Sequence, residues 1–244
     1  MPQNILKKAS DTKDLLPRNT KPLYTVALAL HVDRELYARA VGYFYAVVSL
    51  LEDSVDRRKD KNVALKGVAD LLGDLKLTEA FEQDLAALWG VTWRSKLQKN
   101  DAVNALCGRL QQVAEEEPVV LLSYAMEIYS LLFSLTWTRT PMHISHKYKY
   151  RSSVLLMNGV SHQRFTSAMN ALTLSQEVAD RVLEEAVRAR DSVDDVSRSL
   201  APHVGWLTVV KGLRSPLLIF CLAILFLSSA ILLVLLGALL RSLK

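Results

Sequence analysis

The chain is poor in the residues that interrupt helices and in those that staple small folds. Among its 244 residues are nine glycines, seven prolines and two cysteines. Two cysteines exclude a disulfide-built secreted module. Cys107 sits in a helical stretch and Cys221 inside an apolar run, so the pair is not placed to meet. With 50% hydrophobic residues and a formal net charge of only +5, intrinsic disorder is excluded too. The familiar active-site signatures are missing: there is no glycine-rich phosphate loop, CxxC, HExxH or Gly-x-Ser-x-Gly. The Glu-x-x-His pairs of di-iron bundles are absent as well.

What is present is apolar spacing with the period of a helix. Asp33 can cap a helix running to about Arg58 on Leu36, Ala40, Val41, Phe44, Val47, Val48 and Leu51. Thr78 opens another through Phe81, Leu85 and Leu88, closed at Trp89-Gly90. Asp101 starts a third that ends in Glu115–Glu117. Pro118 starts a fourth through Leu121, Leu122, Ala125, Tyr129 and Leu132, stopped by Pro141. A fifth covers about Ser152–Leu172, and Ser175 caps a sixth to about Leu200. Helices joined by short connections predict an all-α bundle.

The last part of the chain has a different solvent in view. From Pro216 to Leu240 there is no charged side chain. As a helix that run spans roughly 37 Å, against a hydrocarbon core of roughly 30 Å. Lys211 and Arg214 flank one end, Arg241 and Lys244 the other. The N-terminus, MPQNILKKASDTKDLL, has no apolar core of a signal peptide. The expectation is a helical domain over residues 1–200, a linker over 201–215 and a transmembrane tail anchor over 216–240, with the domain facing the cytosol. The endoplasmic reticulum is the expected membrane and the mitochondrial outer membrane the second choice.

His143 and His146 are three apart, the spacing of one helix face. They follow Pro141 and precede Lys147, Lys149 and Arg151 with no carboxylate or cysteine nearby, so an exposed basic loop is expected rather than a metal site. No nucleic-acid partner is expected of that stretch either; anionic lipid is the better alternative.

Several blocks resemble a known family. Glu82-Gln83-Asp84-Leu85-Ala86 with Leu88-Trp89-Gly90 and Trp93 is similar to the "EQDL…G…W" stretch of the haem oxygenases. Met169-Asn170-Ala171-Leu172 with Arg181-Val182-Leu183-Glu184-Glu185-Ala186 resembles the family's "MNxL…RVIEEA" helix. Val32-Asp33-Arg34-Glu35 with Leu51-Glu52-Asp53 resembles its second helix, and Glu117-Pro118 the opening of its distal helix. The resemblance implies a fold that is all-α, a haem-oxygenase-like helical bundle, here with one C-terminal transmembrane helix. It also implies haem as ligand and an NADPH-dependent reductase as partner of an active member.

The residues that carry the family's chemistry do not follow. The resemblance places Asp14 where the proximal histidine ligates iron, and a carboxylate is a poor substitute there. It places Leu131, Leu132, Leu135 and Thr136 at the distal Gly-Asp-x-x-Gly-Gly positions, where glycines admit the haem plane and the aspartate orders water. Val48 stands for a pocket tyrosine, Arg190 for an apolar wall residue. Of the propionate-binding positions Lys7 matches, while Asp11, His162 and Thr166 do not. The expectation is therefore a membrane-anchored pseudoenzyme that binds or scaffolds an unknown protein partner and takes no haem. Two alternatives stay open: an active oxygenase giving biliverdin, carbon monoxide and iron through another ligand such as His31, and a surface haem carrier or sensor using His143, His146 or Cys107.

Overall fold

The computed structural model describes residues 33–75, 77–136 and 159–204, with side chains outside the description at 134–136 and 159–161. These residues form helices α1 (Arg34–Asp56), α2 (Val63–Leu75), α3 (Leu77–Trp89), α4 (Trp93–Lys96), α5 (Asp101–Glu116), α6 (Leu121–Thr136), α7 (Gly159–Ala171) and α8 (Gln176–Arg198), with short 3₁₀ turns between some of them and no strand among the described residues. The expected all-α bundle is borne out. Helices α2 and α4 were not expected from the pattern. Pro118 opens a 3₁₀ turn, Pro118–Val120, and the α-helix proper begins at Leu121. The described part of the fifth expected helix is Gly159–Ala171; its expected start at Ser152 lies outside the described residues.

The predicted caps work as hydrogen-bond chemistry. Asp33 Oδ1 accepts from the backbone N–H groups of Glu35 and Leu36 at 3.0 and 3.1 Å, satisfying donors that the first turn leaves open. Ser175 Oγ accepts from Val178 N at 3.4 Å. At the other end of α3, Gly90 takes φ +84° and its N–H reaches Ala86 O at 2.9 Å, a left-handed closure that a side chain would strain.

Blocks far apart in sequence dock on one another. Arg34 Nη2 donates to Ala87 O and Leu88 O, 3.0 Å each, so its guanidinium closes the C-terminal carbonyls of α3. Trp89 Nε1 donates to Glu35 Oε2 at 2.9 Å. Glu82 accepts from Tyr45 Oη at 2.9 Å and Arg94 Nη2 at 3.0 Å, while the Tyr45 and Trp93 rings meet edge-on at 5.1 Å. Gly42 lets the α1 backbone come close: a Cβ there would lie 3.1 Å from Leu97 Cδ2 and 3.4 Å from the Trp89 ring.

Helix α8 presents Ala179, Val182, Ala186, Ala189, Val193 and Val196 as a buried stripe against α5 and α6. Glu185 is buried beside that stripe and bridges three helices. It accepts a two-pronged pair from Arg109 of α5, Nε to Oε1 at 2.9 Å and Nη2 to Oε2 at 2.8 Å. Tyr124 Oη of α6 donates to Oε1 at 2.6 Å, and Arg188 Nη1 to Oε2 at 3.1 Å. Burial alone would raise the Glu185 pKa. The hydrogen bonds from Arg109 and Tyr124, with the charges of Arg109 and Arg188, hold it below the ordinary carboxylate value. Burial and the neighbouring Glu185 push the Tyr124 phenol well up in turn.

A carboxylate whose pKa falls on folding stabilises the fold above its unfolded pKa, and that stabilisation is lost as pH drops through the folded value. Glu185→Gln should therefore cost about 2–3 kcal/mol at neutral pH, the low end for breaking a buried pair because Arg109 is partly exposed and can turn to water. The gap between wild type and variant should close as pH falls below about 4. Thermal unfolding from pH 7 to pH 3 measures it; a gap that does not depend on pH would contradict the charge assignment.

Candidate functional site

Helix α6 corresponds to the distal helix of the resemblance, and it is enclosed on every side. Leu121 through Tyr129 are all buried, as are Leu132 and Phe133. A helix apolar all round is a core element, and every polar group it carries inward must find a partner. Toward α8, Ser123 Oγ donates to Val182 O at 2.7 Å, and Tyr124 meets Glu185. One turn on, Glu127 and Arg190, each 4% exposed, form an ion pair at 3.5 Å. Toward α1, Tyr129 Oη donates to Glu52 Oε1 at 2.6 Å. The other Glu52 oxygen accepts from Thr78 Oγ1 and from Thr78 N at the start of α3. Burial first, and then the Glu52 charge and hydrogen bond, push the Tyr129 phenol well above its ordinary pKa.

Between α6 and α7 the space is filled by rings. Tyr129 and Phe165 stack at 5.3 Å with 10° between planes. Phe133 lies 5.5 Å from Phe165 and 4.9 Å from the His162 ring. Such pairs add roughly 0.5–1.5 kcal/mol each beyond their burial.

The residues singled out from the sequence fall as follows. Leu132 is 1% exposed in the core and Leu131 half-buried beside it. Leu135 and Thr136 stand on the last turn of α6, their side chains outside the described residues. Val48 is fully buried on α1. His162 is exposed on α7 with Thr166 half-buried one turn on. Arg190 points its charge at Glu127. Asp14, Lys7, Asp11, His31, His143, His146, Cys221 and the 216–240 span lie outside the described residues. Cys107 is buried on α5, its Sγ 3.8 Å from Ala46 O, and burial pushes its thiol up despite the Lys99 charge. That suits a core thiol better than a soft ligand at the surface. Among the described residues there is no cluster of three or more His, Cys, Asp or Glu that could hold a metal ion, and no helix long and apolar enough to cross a membrane.

The buried charges Glu127, Glu185 and Arg190 were missed as a set. Their signal was in the sequence: Glu127 is the lone charge between Pro118 and Thr138, and a charge inside an apolar helix demands a partner. Two open clefts among the described residues lie elsewhere. One of about 620 Å³ runs between α1 and α5, and one of about 280 Å³ lies where α1 meets the 95–98 segment; neither is lined by α6, α7 or α8.

Comparison with known proteins agrees with the architecture. The family model described as Heme oxygenase matches residues 18–136. Heme oxygenase 1 of Gallus gallus is 26% identical over 212 residues, 77% of this chain and 69% of that protein. Heme oxygenase 1 of Synechocystis sp. is 25% identical over 162 residues, 64% of this chain and 66% of the relative. The chain thus spans about two thirds of the curated relatives it matches. Among solved structures, heme oxygenase-2 from Synechocystis sp. in complex with heme and NO aligns with a TM-score of 0.65 at 19% identity, over 81% of this chain and 85% of that one. Heme oxygenase-1 from the same cyanobacterium, in complex with heme, aligns at 0.62 and 20% identity, over 93% and 100%. With the family model, the sequence relatives and the fold in agreement, the chain belongs to the haem oxygenase family.

Proposed function

We propose that this protein is a member of the haem oxygenase family that does not degrade haem, a binding or scaffold protein held on a membrane by its 216–240 segment. The observation that carries the reading is Leu132. It is 1% exposed at the position the resemblance assigns to the aspartate that orders distal water. Leucine has no hydrogen-bonding atom in its side chain and cannot hold a proton-delivering water chain. The hydrocarbon of Leu131 and Leu132, together with the Phe133–Phe165 contact, uses the room that glycines would leave for a flat macrocycle. On these side chains the distal helix does not fit a haem. Asp14 in place of the proximal histidine supports the same reading, because a carboxylate in an apolar pocket favours its protonated form.

The membrane reading rests on length and charge: 25 uncharged residues, Pro216 to Leu240, exceed what a bilayer core requires. An endoplasmic reticulum location with the helical domain in the cytosol follows from that reading, and so does a protein partner in place of a reductase.

Two measurements test the proposal. Haemin titrated into the full chain in detergent should give no saturable Soret band; a band at one-to-one stoichiometry would overturn the reading, and His31→Ala would then show whether His31 is the ligand. Leu132→Asp should destabilise the protein by about 3–5 kcal/mol at neutral pH, the cost of a buried carboxylate without a partner. Because burial raises a carboxyl pKa, that loss should shrink as pH is lowered toward 5. A Leu132→Asp protein that melted like wild type would mean that this position faces water.

A further inference from the structure

The outer side of α1 carries chemistry that the distal helix lacks. Arg39, Gly42 and Tyr43 line the cleft of about 280 Å³ together with Ser95, Lys96, Leu97 and Gln98. The two cations come from different elements, Arg39 from α1 and Lys96 from α4, and both have donors to spare. Arg39 has one ion pair, a loose 3.9 Å approach to Glu35, which leaves most of its five N–H donors unused. Lys96 Nζ donates to Trp89 O at 3.2 Å and keeps two further protons.

Tyr43 is the second, independent sign. Its ring is packed, with 3% of the residue exposed, while its hydroxyl reaches the open space of this cleft and makes no hydrogen bond among the described residues. A tyrosine hydroxyl held at the edge of an open cleft is a ready donor to whatever sits there. Close packing holds the wall: Leu97 lies against Gly42, where a Cβ would meet it at 3.1 Å. Glu35 is the opposing charge at the rim, with its carboxylate bonded to Trp89 Nε1 at 2.9 Å. Two cations, one hydroxyl donor and the Gln98 amide around a space this small match a compact anion with several acceptor oxygens, and the space is too small for a macrocycle.

We propose that the Arg39–Tyr43–Lys96 cleft binds a phosphate monoester group, carried by a soluble phosphate compound or by an anionic lipid headgroup. The two sources share one chemistry. The second is within reach because the cleft adjoins an exposed loop in which Val91 is 94% exposed and Arg94, Lys96 and Lys99 face solvent without an acidic residue between Leu85 and Asn100.

Trp89 lines the cleft and reports on it. The full chain in neutral detergent is titrated with sodium phosphate against sodium chloride at matched ionic strength, following tryptophan emission, with Trp89→Phe as the control for the reporter. In a second arm, the full chain sits in phosphatidylcholine nanodiscs with or without phosphatidic acid. Saturation by phosphate identifies a soluble source; a change seen only with phosphatidic acid identifies the headgroup. In whichever arm responds, Arg39→Gln and Lys96→Gln should each weaken binding about tenfold or more, and Tyr43→Phe about threefold to tenfold, as expected for charged and neutral hydrogen bonds. Glu35→Gln, which removes the opposing charge and keeps an acceptor for Trp89, should tighten binding about twofold to fivefold. Silence in both arms, or an Arg39→Gln, Lys96→Gln double variant that responds like wild type while melting normally, would overturn the proposal. Neither result bears on whether haem binds elsewhere, so the two proposals fail separately.

Discussion

The enclosure of α6 is the constraint from which the rest of this structure follows. The α6 stretch from Leu121 to Tyr129 is buried throughout, so the hydroxyls and the one carboxylate there must be met from another element. Ser123 bonds to Val182 O of α8, and three further meetings join side chain to side chain. Tyr129 finds Glu52 of α1, Tyr124 finds Glu185 of α8, and Glu127 finds Arg190 of α8. Each also fixes a neighbour: Glu52 ties the start of α3 through Thr78, and Glu185 ties α5 through Arg109. Removing one partner from such a network costs more than the bond itself, because the other is left buried and unsatisfied. The bundle is therefore held in one register by a few polar contacts, while apolar burial supplies most of the stabilising free energy.

Much of the helical frame was legible because its signals are local. Asp33 and Ser175 act within three residues of themselves, and Gly90 ends α3 through a bond to Ala86, four residues back. Helix α2 was not legible: VALKGVADLLGDL contains Gly67 and Gly73, which weaken a helix, and its buried Leu65, Val68, Ala69 and Leu72 are held by tertiary packing that no local pattern announces. Helix α4 is four residues long, too short for any period to register. The site divides in the same way. The apolar character of Leu131 and Leu132 can be read from the residues alone. The Glu127–Arg190 pair joins positions 63 apart, and only the fold brings them together.

Arg190 also shows why resemblance and chemistry have to be weighed apart. By resemblance its position is an apolar wall, and a lone arginine there would be ruinous. With Glu127 opposite it is a closed pair, and neither residue makes sense without the other. The pair forms an internal tie between α6 and α8. By resemblance, Leu131 and Leu132 put hydrocarbon where the family's pattern has glycine and aspartate, and the Phe133–Phe165 contact packs beside them.

Uncommitted polar chemistry on this fold lies at the edge of α1. On the inner side of α1, Val47, Val48 and Leu51 are sealed in the core, and Glu52 is already bonded to Tyr129 and Thr78. On the outer side, Arg39 holds one long contact and Tyr43 none among the described residues, although both border open space. The Tyr43 hydroxyl beside two cations is a donor set that an anion in the cleft would use. The same helix thus has two characters: its inward face packs into the core with α6, and Arg39 and Tyr43 border open space.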